Sequence, residues 1–194
     1  MHSSDQTDGA HFADVYARIS GWQRARGLEL IEDAQFRKGE FVLDVGCGPG
    51  DLTAELARRV GADGDALGID PDKNRIKLAN ERFQAQLPQL RFAVAQGEDM
   101  SVVQSGTVDV IFSNYAIQWV KDKVPFLAEF QRCLKPGGRF ALEKLAARID
   151  LYEEIMEISP TCPQKAADTV DILSEAKWLP LLRSAGFVVD QSRT

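Results

Sequence analysis

The feature that most constrains this 194-residue chain is the run Phe41-Val42-Leu43-Asp44-Val45-Gly46-Cys47-Gly48-Pro49-Gly50-Asp51-Leu52-Thr53. A short apolar strand carries an aspartate, passes through three alternate glycines, and opens onto a helix. Backbone turns this tightly, and lies this close to a ligand, only where a Cβ is missing. The helix that follows turns the unpaired N–H groups of its first turn toward the same point. The run therefore fixes a strand–turn–helix unit with a nucleotide-type ligand at the strand's carboxyl end. Its Gly-x-Gly-x-Gly spacing departs from the Gly-x-Gly-x-x-Gly dinucleotide fingerprint. Taken alone, the run leaves dinucleotide binding open, with a ligand-free glycine-rich turn as the bland alternative.

The rest of the chain repeats the same unit. Phe41–Val45 reads as a strand and Asp51 to Val60 as a helix with Leu52, Leu56 and Val60 on one face. Ala66–Asp70 is a second strand. Asp70 then serves as a helix cap and Pro71 sits in the first turn of a helix reaching about Gln86, with Ile76, Leu78 and Phe83 inward. Leu90–Ala95 and Thr107–Ser113 follow as strands. Val124–Leu134 is a helix stopped by Lys135-Pro136-Gly137-Gly138, and Arg139–Leu145 is a fifth strand. Strands alternating with helices predict an α/β fold: a Rossmann-like, doubly wound, mostly parallel sheet with helices on both faces.

Upstream, residues 1–10 read as a disordered tail and residues 11–35 as two short covering helices weakened at Gly21 and Gly27. Residues 11–194 then form a single domain. Leu151–Ile158 looks helical, Ser159–Thr169 is a connection, Ser174–Ser184 is a helix capped by Gly186, and Phe187–Asp190 is a final strand.

Composition excludes several classes. A net charge of −6 and a pI near 5.0 do not suit a nonspecific grip on nucleic acid, which needs phosphate neutralisation. The Arg58-Arg59 pair reads as a solvated helix face. Cys47, Cys133 and Cys162 are dispersed and odd in number, so they offer neither a disulfide framework nor zinc spacing and suit a reducing compartment. With no secretory signal and no stretch of about 20 apolar residues, a cytoplasmic protein without membrane contact is expected.

Loops at the carboxyl ends of successive strands carry the remaining chemistry, where open α/β sheets bind ligands. Asp70, twenty residues past Gly50, is placed to accept hydrogen bonds from ribose hydroxyls, or simply to cap its helix. Glu98-Asp99-Met100 offers carboxylates for an adenine amino group and an apolar side chain for its ring face, or is an acidic surface turn. Strand four ends in Ser113-Asn114-Tyr115-Ala116-Ile117-Gln118-Trp119.

Together these runs resemble the class I S-adenosylmethionine (SAM) methyltransferases. The Asn114–Trp119 run is similar to the branch that includes trans-aconitate, malonyl-carrier-protein and juvenile hormone acid methyltransferases. The resemblance spans about Tyr16 to Leu145 and is thin beyond Lys144. It implies SAM as cofactor, with Asp44, Gly46, Cys47, Gly48, Gly50, Asp70, Pro71, Glu98, Asp99, Met100 and Asn114 around it. It implies a small-molecule acceptor near Tyr16, Tyr115, Gln118 and Trp119, although Tyr16 reads equally as a packing residue and Trp119 as a core aromatic. No residue is assigned as catalytic and no metal is expected.

Methyl transfer by in-line displacement relies on orientation more than on acid–base groups. His2 and His11 are the only histidines, and both precede the site motifs, which favours an already ionised acceptor such as a carboxylate. Tyr115, Glu143 and Lys144 remain candidate bases, and an amine or a phenolic hydroxyl remains an alternative acceptor. A SAM-binding interaction domain without turnover is the reading from another class. Arsenic methylation does not suit scattered cysteines, and a DNA adenine methyltransferase would show two prolines where Ala116-Ile117 stand. The family's usual seventh, antiparallel strand has no counterpart after Asp190. The open sheet edge this implies predicts self-association.

Overall fold

In the computed structural model of the chain, residues 20–144 and 172–192 are described. The elements are α1 (20–33), β1 (Phe41–Val45), α2 (Asp51–Val60), β2 (Asp65–Asp70), α3 (Lys73–Ala79), β3 (Leu90–Val94), β4 (Val108–Asn114), α4 (Lys123–Cys133), β5 (Leu134–Glu143) and α5 (Glu175–Ser184). A π-helical turn, Asn80–Gln84, extends α3, and a 3₁₀ turn spans Ile117–Trp119. The strands form one sheet in the order β3-β2-β1-β4-β5, with every neighbouring pair parallel. The order reverses direction beside β1, where the glycine turn emerges. This is the expected α/β architecture.

Strand alternation divides the core in two. On one face Val42, Val110 and Phe112 pack with Ile31 of α1 and with Leu56 and Val60 of α2. On the other, Leu43, Val45, Ile69 and Ile111 pack with Phe126 and Phe130 of α4 and with Trp178 and Leu182 of α5. Because side chains alternate along a strand, a one-residue slip in β1 would exchange these sets. The register Asp44 opposite Gly68 and Phe112 is fixed accordingly.

Several expectations need correction. A single helix runs through Gly21 and Gly27 without a break. Gly27 is there for close approach, since a Cβ would lie 2.4 Å from the Leu52 side chain. Asp72, not Asp70, caps α3: its carboxylate accepts from the backbone N–H groups of Asn74 (2.8 Å) and Arg75 (3.4 Å), which leaves Pro71 ahead of the cap. Leu78 faces outward, 45% exposed. The Lys135–Gly138 breaker ends α4 but lies inside β5. Leu134 pairs with Val108 and Arg139 with Val110, so four residues bulge opposite Asp109. Phe187–Asp190 forms no strand. Phe187 instead packs edge-on against Phe140 at 4.9 Å. The expected Leu151–Ile158 helix and the 159–169 connection lie outside the described residues, as do His2, His11, Tyr16 and Cys162.

Candidate functional site

The glycine turn is built by two close approaches. Gly46 has φ +79°, and a Cβ there would lie 2.2 Å from the Ala116 Cβ, so the loops after β1 and β4 touch at this point. Gly50, at φ +86°, would drive a Cβ into the Phe92 ring at 2.6 Å. At Gly48 a Cβ would meet nothing within 4 Å, which leaves the turn open on that side. Arg82 holds the far end, pairing with both oxygens of Asp51 at 2.6 and 2.7 Å and reaching the Pro49 carbonyl.

The turn's N–H groups do not point into solvent as a free cradle. Those of Gly46 and Cys47 both donate to the Ile69 carbonyl, at 2.8 and 3.0 Å, and that of Gly50 donates to the Cys47 carbonyl at 3.1 Å. That of Gly48 donates to Asp70 Oδ2 at 3.0 Å, while Asp70 Oδ1 accepts from the N–H of Asp72 at 2.9 Å. Asp70 thus ties the turn after β1 to the turn after β2. A carboxylate has about four acceptor positions, so two such bonds leave it able to accept from a ligand.

Asp44 sits one layer below, 2% exposed, with Oδ2 accepting from the Thr53 hydroxyl at 2.7 Å. Burial pushes its pKa up to about 7, aided by the nearby Asp70 charge and opposed by the Thr53 bond. Asn114 lies on the same sheet face. Its Nδ2 donates to the Gln23 carbonyl of α1 at 3.0 Å, and its Oδ1 is buried with no hydrogen-bond partner among the described residues.

The residues around Tyr115 form a second group. Tyr115, at φ +53°, takes a left-handed conformation unusual for a side chain of its size. Its N–H donates to the Glu143 carbonyl at 2.9 Å, its hydroxyl donates to Glu143 Oε1 at 3.3 Å, and its ring lies 4.9 Å from that of Trp22. Arg26 stands 3.6 Å from Glu143 and hydrogen-bonds Tyr115, so α1 is latched over the carboxyl ends of β4 and β5. Burial and the Glu143 charge push the Tyr115 phenol well above its ordinary value, which removes it as a phenolate base near neutrality.

Other expected residues fall differently. The Met100 side chain is fully buried in the core beside Val103 and the α4 phenylalanines. Asp99 is exposed and accepts from the Ser101 N–H at 3.1 Å, the role of the acidic surface turn, and Glu98 is half-buried beside it. Pro71 is exposed. The Cys47 thiol is buried and pushed up by burial, then by Asp44 and Asp70, so it is an inert space-filler. Trp119 is 47% exposed and is no core aromatic, whereas Gln118 is 2% exposed. Sequence reasoning missed Thr53, Gln23, Arg26 and Arg82. Only Thr53 left a local signal, as the hydroxyl one turn into the helix that follows Asp44. Among the described residues no His/Cys/Asp/Glu group is arranged to hold a metal ion, and no helix is long and apolar enough to cross a membrane.

Residues 36–186 match the family described as a methyltransferase domain. The chain belongs to the class I SAM-dependent methyltransferases. The 2-phytyl-1,4-naphtoquinone methyltransferase of Nostoc punctiforme is 34% identical over 136 residues, covering 67% of this chain and 59% of that protein. The demethylmenaquinone methyltransferase of Lactococcus lactis is 28% identical over 183 residues, covering 85% and 71%. A SAM-dependent methyltransferase from Aquifex aeolicus has the same fold, with a TM-score of 0.68 and 22% identity across 85% of this chain and 81% of that chain. This chain spans 59% of the Nostoc protein and 49% of a demethylmenaquinone methyltransferase from Lactobacillus johnsonii. These relatives are named for quinones, not for the acids of the expected branch.

Proposed function

We propose that this domain binds SAM across the loops after β1, β2 and β4 and methylates a small molecule. The observation that carries the reading is unmet hydrogen bonding at one point. Asn114 Oδ1 is a buried acceptor without a partner among the described residues, on the same face as the half-titrating carboxyl of Asp44. Such a pair calls for a cationic donor, and the ammonium of the cofactor's methionine part is one. Asp70 retains acceptor positions for ribose hydroxyls, and the open side of Gly48 admits a ligand against the turn. The exposed Asp99 and half-buried Glu98 lie at the edge where an adenine amino group would arrive.

When bound, the cofactor supplies a methyl group that an acceptor takes by in-line displacement. The protein's part is orientation: Asp70 fixes the glycine turn, Thr53 fixes Asp44, and α1 is latched through Gln23 and Arg26 over the carboxyl ends of β4 and β5. Effective molarities for well-oriented groups reach about 10⁵–10⁸ M, enough to dispense with a dedicated base where the acceptor is readily ionised.

The acceptor class is taken from the relatives' names, which refer to quinones and, for one from Idiomarina loihiensis, to a ubiquinone/menaquinone biosynthesis C-methyltransferase: we read the nucleophile as a ring carbon of the reduced quinone. The carboxylate expected from sequence keeps one supporting observation, that neither a core histidine nor a Tyr115 phenolate is at hand to take a proton. Calorimetric SAM binding followed by a transfer assay with a naphthoquinol and a panel of carboxylic acids tests both. Methylation of the quinol alone is expected. Methylation of the acids alone would reverse the acceptor, and no SAM binding would overturn the whole reading.

A further inference from the structure

We propose that a recess beside Gln118 receives a hydroxyl group carried on the ring of the methyl acceptor. This deepens the small-molecule reading above and rests on it. Ile117, Gln118, Lys123, Lys144, Leu173 and Trp178 bound the recess, whose interior volume of about 10 Å³ has room for one water-sized group. That is about the space one water or one hydroxyl needs, so the recess takes a single group of a ligand and is too small for the two oxygens of a carboxylate.

Its polarity is set by one amide and by the ammonium groups of Lys123 and Lys144. Gln118 Nε2 donates to the Tyr115 carbonyl at 2.9 Å. A carbonyl only accepts, so the amide nitrogen must face it and the orientation of the amide is fixed. Oε1 is then left buried with no partner among the described residues, a costly condition that a ligand donor relieves. Across the recess, the Lys144 ammonium donates to the Leu173 carbonyl at 2.9 Å. Burial lowers its pKa, but it remains a donor group.

A wall that accepts facing a wall that donates suits a group that does both. A hydroxyl gives its proton to Gln118 Oε1 and accepts from Lys144. A carboxylate brings acceptors alone and would set oxygen against oxygen at Gln118. Trp178, 5% exposed, and Leu173 close its apolar side, so the hydroxyl alone enters and the ring that carries it stays at the mouth. The recess is linked to the glycine turn through the chain, because Ala116, which rests against Gly46, leads directly into the 3₁₀ turn bearing Ile117 and Gln118.

The test uses the full ¹⁵N-labelled chain with 1-naphthol and 1-naphthoate as probes, each with and without S-adenosylhomocysteine. Naphthol is expected to shift the Trp178 indole and Gln118 amide resonances and to bind at least tenfold more tightly than naphthoate. Gln118→Leu and Lys144→Met should each weaken naphthol about tenfold, the scale of a lost hydrogen bond. Two independent variants keep the test decisive if one does not fold. Equal binding of naphthoate, unchanged naphthol affinity in a folded Gln118→Leu or Lys144→Met protein, or no shift at Trp178 would overturn the proposal and leave a recess that holds only water. Failure of S-adenosylhomocysteine to bind would instead defeat the cofactor reading, while the naphthol arm still decides the recess.

Discussion

Replacing Asp44 with asparagine should make the apo protein more stable above about pH 7 and remove one titration that the native chain undergoes between pH 3.8 and about 7. Asp44 is 2% exposed, and burial carries its pKa from 3.8 to about 7. Below pH 3.8 the carboxyl is neutral in both folded and unfolded chains, so burial costs nothing extra. Between 3.8 and about 7 the unfolded chain has released the proton and the fold still holds it, so stability falls as pH rises. Above about 7 the full difference is in force. At about 1.36 kcal/mol per pH unit this amounts to about 4 kcal/mol, an upper figure because water entry softens it. The asparagine side chain keeps the shape and the acceptor for the Thr53 hydroxyl but carries no charge. Urea unfolding of both proteins from about pH 4.5 to about pH 8.5 should show the variant gaining on the native chain steadily to about pH 7 and no further. The same substitution should abolish the cofactor-linked half of the effect. Binding a cationic ammonium beside Asp44 at about pH 6 should expel a proton, seen as a buffer-dependent heat in calorimetry, and Asp44→Asn should show none. A stability difference that does not change with pH, together with no proton release on binding, would refute the assignment of Asp44 as a buried carboxyl awaiting a cation.

Other perturbations follow from single contacts. Gly46→Ala places a Cβ 2.2 Å from that of Ala116 at φ +79°, so a loss of about 1–3 kcal/mol in thermal or urea unfolding is expected, with cofactor affinity falling alongside. Tyr115→Phe should change the transfer rate less than about tenfold, because a lost general base costs about 10²–10⁴ and this phenol is held protonated. A larger loss in kcat would restore Tyr115 as a base. Asp109 accepts from the Phe41 N–H at 2.9 Å and from Lys135 at 2.7 Å. Burial alone would raise its pKa, but the Lys135 and Phe41 bonds outweigh that and hold it below the ordinary value. Its stabilisation is therefore present above the unfolded pKa and lost as pH falls through the folded one. Asp109→Asn should cost about 1–2 kcal/mol at about pH 7 in urea unfolding and progressively less toward about pH 2.

The cofactor half of this domain was legible because its signals are local. β1 and α2 fall on the residues read from periodicity, since the apolar alternation, the glycines and the helix face all lie within twenty residues of one another. Asp44 and Asp70 were legible as polar interruptions at strand ends. Their partners were not: Asp70 holds the Gly48 N–H from twenty-two residues away, and Asp72, two residues on, takes the capping role by a local turn bond. The β5 bulge escaped notice because Pro136-Gly137-Gly138 does break the helix, while the pairing of Leu134 with Val108 depends on a strand far upstream. Gly27 read as a helix breaker because propensity registers the missing side chain and not the Leu52 and Asn114 side chains that occupy its space. Met100 read as a ring contact because an apolar residue after two acids looks the same in sequence whether it turns to a ligand or to the core.

One residue ties the two halves together. β4 delivers Asn114 to the sheet face covered by α1 and α2, whereas Gln118 lines a recess walled by Trp178 of α5 on the opposite face. The chain must therefore cross the carboxyl edge of the sheet within four residues, and the left-handed Tyr115 at φ +53° begins the crossing. A strained conformation of this kind costs about 1–3 kcal/mol and persists only where its surroundings over-determine it. Here they do: the Tyr115 N–H is bonded to the Glu143 carbonyl, its hydroxyl to the Glu143 side chain, its carbonyl to Gln118 and its ring to Trp22. The crossing presses Ala116 onto Gly46 at the point where a cofactor on one face and an acceptor on the other would meet. The absent Cβ at Gly46 is then a requirement of the loop after β4, so the strand-one glycine and the strand-four turn are parts of one device.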